Sequence, residues 1–348
     1  KMLLILFFSI VAWAQTNTRD AYLRWTEHLT TTEHPESGYR YLSEIHSEIA
    51  IQIKNNEQVV EPFRVGKTVE NRTIWGFKIN SKYSKHNSVF ILGGIHPMEW
   101  VSVESATDLL IQLAQHPPKY TEVVIIPVLN IDRRLVVERD LSEQDRRYRR
   151  VNVGGEDLNR DYEVHRDATA VWRHFIPDRY TTSSSPLSQP ESQAVDALFE
   201  QYKFDASISI HSFGGYIYYP WAGRYHKAKD WQELEHLGVL MKDAQSGKHP
   251  YRVKQLSHWM FLFRAQGTEL DHFYGKYDAR SFLIESTRSG IVWWKSDDWK
   301  DPFRIYNPRD PSLDIQRCTE SMSALIHHYD HLIDNPNWSC PCQEHLRD

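Results

Sequence analysis

The sequence predicts one α/β domain in which a sheet lies between layers of helix. Three observations carry this. Short apolar or alternating runs at Val65 to Ile79, Val89 to Leu92, Val123 to Leu129, Ala206 to Ile210 and Ser281 to Ile284 have the length and β-branched content of strands. Segments of helical periodicity separate them, an order that builds a sheet covered by helices. No internal repeat, low-complexity block or Gly/Ser-rich linker divides the 348 residues, so one large domain is expected rather than two small ones.

Taken in order, Tyr41 to Ile53 carries Leu42, Ile45, Ile49 and Ile53 on one face and reads as an amphipathic helix. Val65 to Ile79 alternates around Glu70-Asn71-Arg72, which suggests a hairpin leading into the strand at Val89. A helix is expected from about Trp100 to Gln115, stopped by Pro117-Pro118, and Val123 to Leu129 is a second buried strand that ends at Asn130-Ile131-Asp132. Arg146 to Tyr162 breaks the pattern. It packs Arg146, Arg147, Arg149, Arg150 and Arg160 around Gly154-Gly155, too polar for a core and too patterned for a linker. Ser188-Gln189-Pro190-Glu191 resembles a helix start, with Ala194, Ala197 and Leu198 as its apolar face. Helices near Trp231 to Asp243, Glu269 to Tyr277 and Ile315 to Ile333 complete the set, with a Tyr/Trp/Phe-rich stretch running to Phe263.

Composition narrows the function classes. A formal net charge of −5 and a pI near 6.4 give no electrostatic reason to expect nucleic acid or an anionic membrane surface as a partner. The 12 Trp, 18 Tyr and 14 Phe imply aromatic packing or a groove lined for ligand contact. Lys1, the apolar run Leu3 to Trp13 and the Ala12-x-Ala14 pattern read as a signal peptide over residues 1–14, with a buried N-terminal helix as the alternative. The run is too short to span a bilayer comfortably, so the expectation is a secreted or periplasmic chain that begins at Gln15 after signal removal and keeps no stable membrane anchor. Residues 15–40 then form an N-terminal extension, 41–334 the main domain, and 335–348 a Cys- and Pro-containing tail. After export, Cys318 and either Cys340 or Cys342 could form one disulfide, and Cys-x-Cys is also a soft-metal spacing.

The chemistry gathers at strand ends. His96 and Glu99 sit on the turn that follows Val89 to Leu92 and Gly93-Gly94, and an imidazole and a carboxylate three residues apart can converge on one ion. In open α/β sheets ligands bind beyond the carboxyl ends of the strands. Of the 18 His, His211 is the one that terminates an alternating apolar run, which makes it the natural third ligand, and Glu285 closes the strand from Ser281. Two imidazoles and a carboxylate leave a fourth position for water, the arrangement of a hydrolytic zinc site.

These residues resemble the zinc carboxypeptidases of the M14 type, related to carboxypeptidases A and B. The matches are His96-Pro97-Met98-Glu99-Trp100, Pro127-Val128-Leu129-Asn130, Arg150 ahead of Gly155, Asp157-Leu158-Asn159-Arg160, Pro186 to Glu191, His211-Ser212-Phe213 with Tyr219-Pro220, and Ile284-Glu285. The resemblance covers roughly Tyr41 to Ile333. It implies a mixed parallel and antiparallel sheet of about eight strands flanked by helices. It also implies one Zn²⁺ per chain on His96, Glu99 and His211, and a monomer that removes the C-terminal residue of peptides bearing a free carboxylate. Glu285 would be the general base acting on a metal-activated water and Arg150 the oxyanion stabiliser. Asn159 and Arg160 would clamp the substrate's terminal carboxylate, Phe213, Phe263 and Leu270 would contact substrate, and Asp157 would orient the first zinc His.

Two departures stand out. Phe263 falls where the family usually has a Tyr whose hydroxyl closes over the carboxylate, and Met98 replaces an Arg that many members carry. Leu270, at the position resembling the floor of the specificity pocket, disfavours a basic side chain. Three other readings stay open: an M14 enzyme acting on cell-wall peptides, a deacylase of the superfamily, and a zinc-binding module without catalysis.

Overall fold

The computed structural model describes residues 18–29, 38–83, 87–145, 147, 149–167, 182–260, 263–288 and 301–332. Helix α1 covers residues 18–26, followed by α2 (Leu42–Asn55), β1 (Val60–Lys67), β2 (Thr73–Ile79), β3 (Asn87–Leu92), α3 (Trp100–Gln115), β4 (Thr121–Ile126) and α4 (Ile131–Ser142). A 3₁₀ turn at Leu158–Arg160 precedes α5 (Pro190–Tyr202), β5 (Ala206–Ser212), β6 (Tyr216–Tyr219), α6 (Trp231–Asp243), β7 (Arg252–Gln255), α7 (Glu269–Tyr277), β8 (Arg280–Ser286), α8 (Pro302–Tyr306) and α9 (Ser312–Leu332).

One eight-stranded sheet runs in the order β1-β2-β4-β3-β5-β8-β6-β7, and it is mixed as expected. Its centre, β4, β3, β5 and β8, is parallel, whereas the β1–β2, β2–β4 and β6–β8 pairs are antiparallel. Both faces of the central strands are buried, which is why Val89 to Leu92 and Val123 to Ile126 read as unbroken apolar runs. Helices α2, α3, α6 and α9 form one layer, and α5 and α7 pack on the other side. There Phe199 stacks on Phe273 with ring centroids 4.0 Å apart, and both rings pack against Phe90 of β3.

Helix α4 and strands β6 and β7 had no clear sequence signal. The inward face of α4 interleaves charge with the buried Ile131, Val137 and Leu141: Arg134 lies buried over the Trp100 ring, 3.3 Å from its centroid, and its Nε donates to Glu138 at 2.8 Å. Strands β6 and β7 are four residues each, and β7 is a largely exposed edge, so neither shows a full alternation. Residues 18–26, read as part of a polar extension, dock on the domain. Tyr22 is wholly buried, with its ring 4.9 Å from Trp75 and 5.3 Å from Phe77, and its hydroxyl lies 3.0 Å from Nδ1 of His46.

Cys318 forms no disulfide. It lies on the inward face of α9, wholly buried, with Sγ 3.9 Å from the Tyr251 hydroxyl, and burial pushes its thiol up to about 12. The expected signal peptide and the tail with Cys340 and Cys342 lie outside the described residues. No helix among the described residues is long and apolar enough to cross a membrane.

The turn after β3 is tightly constrained. A Cβ added at Gly93 would lie 2.5 Å from the Pro127 carbonyl oxygen and 3.1 Å from the Ala106 Cβ, and Gly94 has a φ of +63°. Both positions therefore require glycine, one for close approach and one for the left-handed conformation. Gly93→Ala is expected to lower unfolding stability by about 1–3 kcal/mol, as overpacking against rigid backbone does. Denaturant unfolding monitored by Trp fluorescence checks this, and a variant within about 0.5 kcal/mol of wild type contradicts the turn's packing.

Candidate active site

The β3 turn delivers His96 and Glu99 to the carboxyl edge of the sheet, and several polar contacts hold it there. Gly94 N–H donates to Ser102 Oγ at 3.2 Å, and Asn130 Nδ2 donates to the Ile95 carbonyl at 3.2 Å. Asn307, just past α8, takes the Trp100 N–H at 2.8 Å and donates to the Met98 carbonyl at 2.6 Å. Met98 itself is buried in an aromatic cluster with Trp100, Tyr39 and Phe303, and its Sδ accepts the Arg149 N–H at 2.8 Å. It is part of the turn's foundation.

His211 comes from β5, in parallel register with Glu285 of β8. Ligand atoms of His96, Glu99 and His211 all lie within 4.8 Å of one another, and all three side chains are buried. His96 Nδ1 is 2.9 Å from Glu99 Oε1, His211 Nδ1 is 3.0 Å from Glu99 Oε2, and the two Nδ1 atoms are 3.1 Å apart. Three donors therefore face a common point through Nδ1, Nδ1 and a carboxylate.

Behind the imidazoles stand two more carboxylates. His96 Nε2 is 3.1 Å from Asp157 Oδ1, and His211 Nε2 is 2.8 Å from Glu269 Oε1. Asp157 also takes Arg150 Nε at 2.7 Å and caps the 3₁₀ turn through the Asn159 N–H at 2.9 Å. Burial opposes its charge, but Arg150 and His96 outweigh burial and hold the carboxyl well below the ordinary range. Arg150 Nη1 reaches to 3.9 Å from Glu99 Oε1, so this guanidinium borders the centre.

Asn159 and Arg160 are both buried on that turn. The Asn159 Oδ1 accepts the Glu269 N–H at 3.3 Å and its Nδ2 lies 3.4 Å from His211 Nε2, while Arg160 Nη1 donates to the Asn159 carbonyl. Phe213 and Phe263 meet at a cavity of about 120 Å³ that also includes Gly214, Tyr218, Leu256, Trp259 and Glu285. Leu270 lies beneath, buried in an apolar cluster with Tyr218, Ala222, Leu256, Ala265 and Leu283. Glu269, Ser209 and Asn307 were not among the sequence candidates. Glu269 is masked in sequence by its place in the first turn of a helix, where an acidic residue is ordinary.

A family model described as zinc carboxypeptidase matches residues 47–298. The chain belongs to the zinc carboxypeptidase family. Human carboxypeptidase A1 is 23% identical over 264 residues, covering 72% of this chain and 63% of that protein. Bovine carboxypeptidase O is 24% identical over 248 residues, covering 67% of this chain and 64% of that protein. The chain thus spans less than two thirds of the length of these relatives. Among solved structures, thrombin-activatable fibrinolysis inhibitor superposes with a TM-score of 0.70 at 22% identity, covering 91% of this chain and 81% of that one. The carboxypeptidase A of Helicoverpa armigera gives 0.68 at 18% identity, covering 91% and 80%. These likenesses establish the fold.

The residues present fit zinc. Two imidazole nitrogens and one carboxylate form a borderline N/O donor set, and the buried Glu285 Oε2 beside them has no hydrogen-bond partner among the described residues. Without a metal, protons take part of its place. Burial opposes a charge on His211, but the hydrogen bonds to Glu269 and Glu99 outweigh it and push its pKa up to about 10. Because that value lies above the ordinary 6.5, His211 in the metal-free protein is protonated at neutral pH, and its contribution to stability is lost only as pH rises through about 10. Zinc uptake near pH 7 is therefore expected to release at least about one proton, with affinity rising as pH increases from 6. Calorimetry in two buffers of different ionisation enthalpy measures this. A buffer-independent enthalpy refutes the protonated imidazole.

Proposed function

We propose that the protein is a zinc-dependent carboxypeptidase that hydrolyses the C-terminal peptide bond of peptides with an apolar final side chain. The observation that carries the reading is the convergence of His96, Glu99 and His211 at the sheet edge with Glu285 in register beside them. Zinc bound there supplies Lewis-acid polarisation of the scissile carbonyl and lowers the pKa of a water.

The chain's own residues supply the remaining chemistry. Without a metal, burial and the neighbouring Glu99 carboxylate push the Glu285 carboxyl up to about 8, and a divalent cation bound beside it would favour the carboxylate, the form a general base needs. Its unpartnered Oε2 accepts the proton of the attacking water and returns it to the leaving amine nitrogen. Arg150, anchored through Nε to Asp157, keeps Nη1 toward the centre, where a guanidinium stabilises the oxyanion of the tetrahedral intermediate. Arg160, with Asn159, binds the substrate's terminal carboxylate, for which the planar guanidinium offers a bidentate fork.

The cavity between Phe213 and Phe263 receives the terminal side chain. At about 120 Å³ it is well below the ~300–1,000 Å³ of sites that enclose whole drug-sized ligands, and on the scale of one side chain. Its Tyr218 and Leu256 walls continue into the buried cluster around Leu270, which supports an apolar residue and disfavours Lys or Arg. Peptides ending in Leu or Phe are expected to exceed otherwise identical peptides ending in Lys by at least ~10-fold in kcat/KM. A preference for C-terminal Lys, read by mass spectrometry of mixed peptides, reverses the specificity assignment.

Exopeptidase action is tested by amidating the substrate's C-terminus. Replacing a charged group opposite a buried guanidinium by a neutral one costs on the order of 2–5 kcal/mol. At about 1.4 kcal/mol per tenfold, kcat/KM falls by at least ~30-fold. Arg160→Ala is expected to impair the free-acid substrate strongly and the amide hardly at all. Equal cleavage of both substrates by the wild-type chain removes the carboxylate clamp. In the same assay Glu285→Gln is expected to retain zinc by elemental analysis while kcat drops by a factor of at least ~10². Near-normal turnover reassigns the base.

A further inference from the structure

Glu269 is wholly buried at the start of α7, and nothing in the helix requires its carboxylate. The cap of α7 is Thr268, whose hydroxyl accepts the Asp271 N–H at 3.3 Å. The Glu269 backbone N–H is itself satisfied by Asn159 Oδ1. Oε1 lies 2.8 Å from His211 Nε2, and Oε2 has no hydrogen-bond partner among the described residues. A buried carboxylate costs stability unless something compensates for it, and here the compensation comes from one imidazole.

That imidazole presents its other nitrogen to Glu99 and His96. The pair repeats what His96 and Asp157 do: Nδ1 forward, Nε2 backed by a carboxylate. Two neutral groups, Ser209 Oγ at 3.0 Å and Asn159 Nδ2 at 3.4 Å, also lie near His211 Nε2, and neither contributes charge. We propose that Glu269 is a positioning residue for the metal centre, which accepts the Nε2–H of His211, fixes the tautomer that leaves Nδ1 to the metal, and holds the ring in the ligating orientation. This rests on the zinc-site reading above. The rival role, a floor that recognises a basic substrate side chain, is disfavoured by its complete burial and by its absence from the cavity wall.

The test measures metal affinity and needs no turnover. Zinc dissociation constants for the full chain are obtained by competition with a chromogenic chelator. Loss of a carboxylate behind a ligating His typically weakens metal binding 10–100-fold. Glu269→Gln, which preserves volume, is expected to fall about in that range, and Glu269→Ala to be at least as weak. Independently, ¹⁵N-His spectra of the zinc-loaded wild type should show a proton on His211 Nε2 and none on Nδ1, a readout that stands even where a variant fails to fold. Wild-type zinc affinity in a folded Glu269→Gln chain overturns the proposal while leaving the zinc site intact, and a proton on Nδ1 of the zinc-loaded chain overturns it together with ligation through His211 Nδ1. So does an unchanged affinity accompanied by altered Leu-against-Lys discrimination. A wild-type chain that binds no zinc overturns the underlying reading together with this inference.

Discussion

The parallel pairing of β5 with β8 is the constraint from which the site follows. Its register sets His211 opposite Glu285, and the pairing of β3 with β5 brings the Gly93-Gly94 turn to the same edge. Because side chains alternate along a strand, a slip of one residue would send His211 or Glu285 to the opposite face of the sheet. That slip would also exchange Ile208 and Ile210 with Ser207 and Ser209 between the two buried faces, so the core packing and the site geometry enforce the same alignment.

The second organising fact is an excess of buried negative charge. Glu99, Asp157, Glu269 and the half-buried Glu285 crowd into one region, where Arg150, Arg160 and two imidazoles are the near cationic or ionisable partners. Such a set is costly on its own, since buried charges persist only when paired or bound to metal. A divalent cation among the ligands would supply the balance. The raised Glu285 and His211 values express the same imbalance in protons.

What the sequence made legible follows this logic. His96, Glu99, His211 and Glu285 stand where apolar runs end, so strand periodicity alone points to them. Asp157, Arg150, Asn159 and Arg160 sit in a loop without periodicity and were readable only through the resemblance. Glu269 looks like an ordinary first-turn acid, because its significance lies in a partner 58 positions away. The helix α4 was hidden for the opposite reason: an ion pair lying over Trp100 shares its buried face with Ile131, Val137 and Leu141, and hydrophobic patterning registers such a mixed face weakly. Met98 stands where many members of the family carry an Arg, and its sulfur is committed to the Arg149 backbone.

The docking of residues 18–26 changes what counts as the folding unit. Tyr22 fills space between Trp75, Phe77 and His46, and burial holds His46 neutral by lowering its pKa to about 3. A fragment begun at Gly38 would keep every residue of the metal centre and Tyr39 beside Trp100, yet leave an aromatic hollow open to solvent, with a buried imidazole newly able to ionise. Proteolytic trimming of this segment would therefore act on solubility and lifetime, at a distance from the chemistry it leaves untouched.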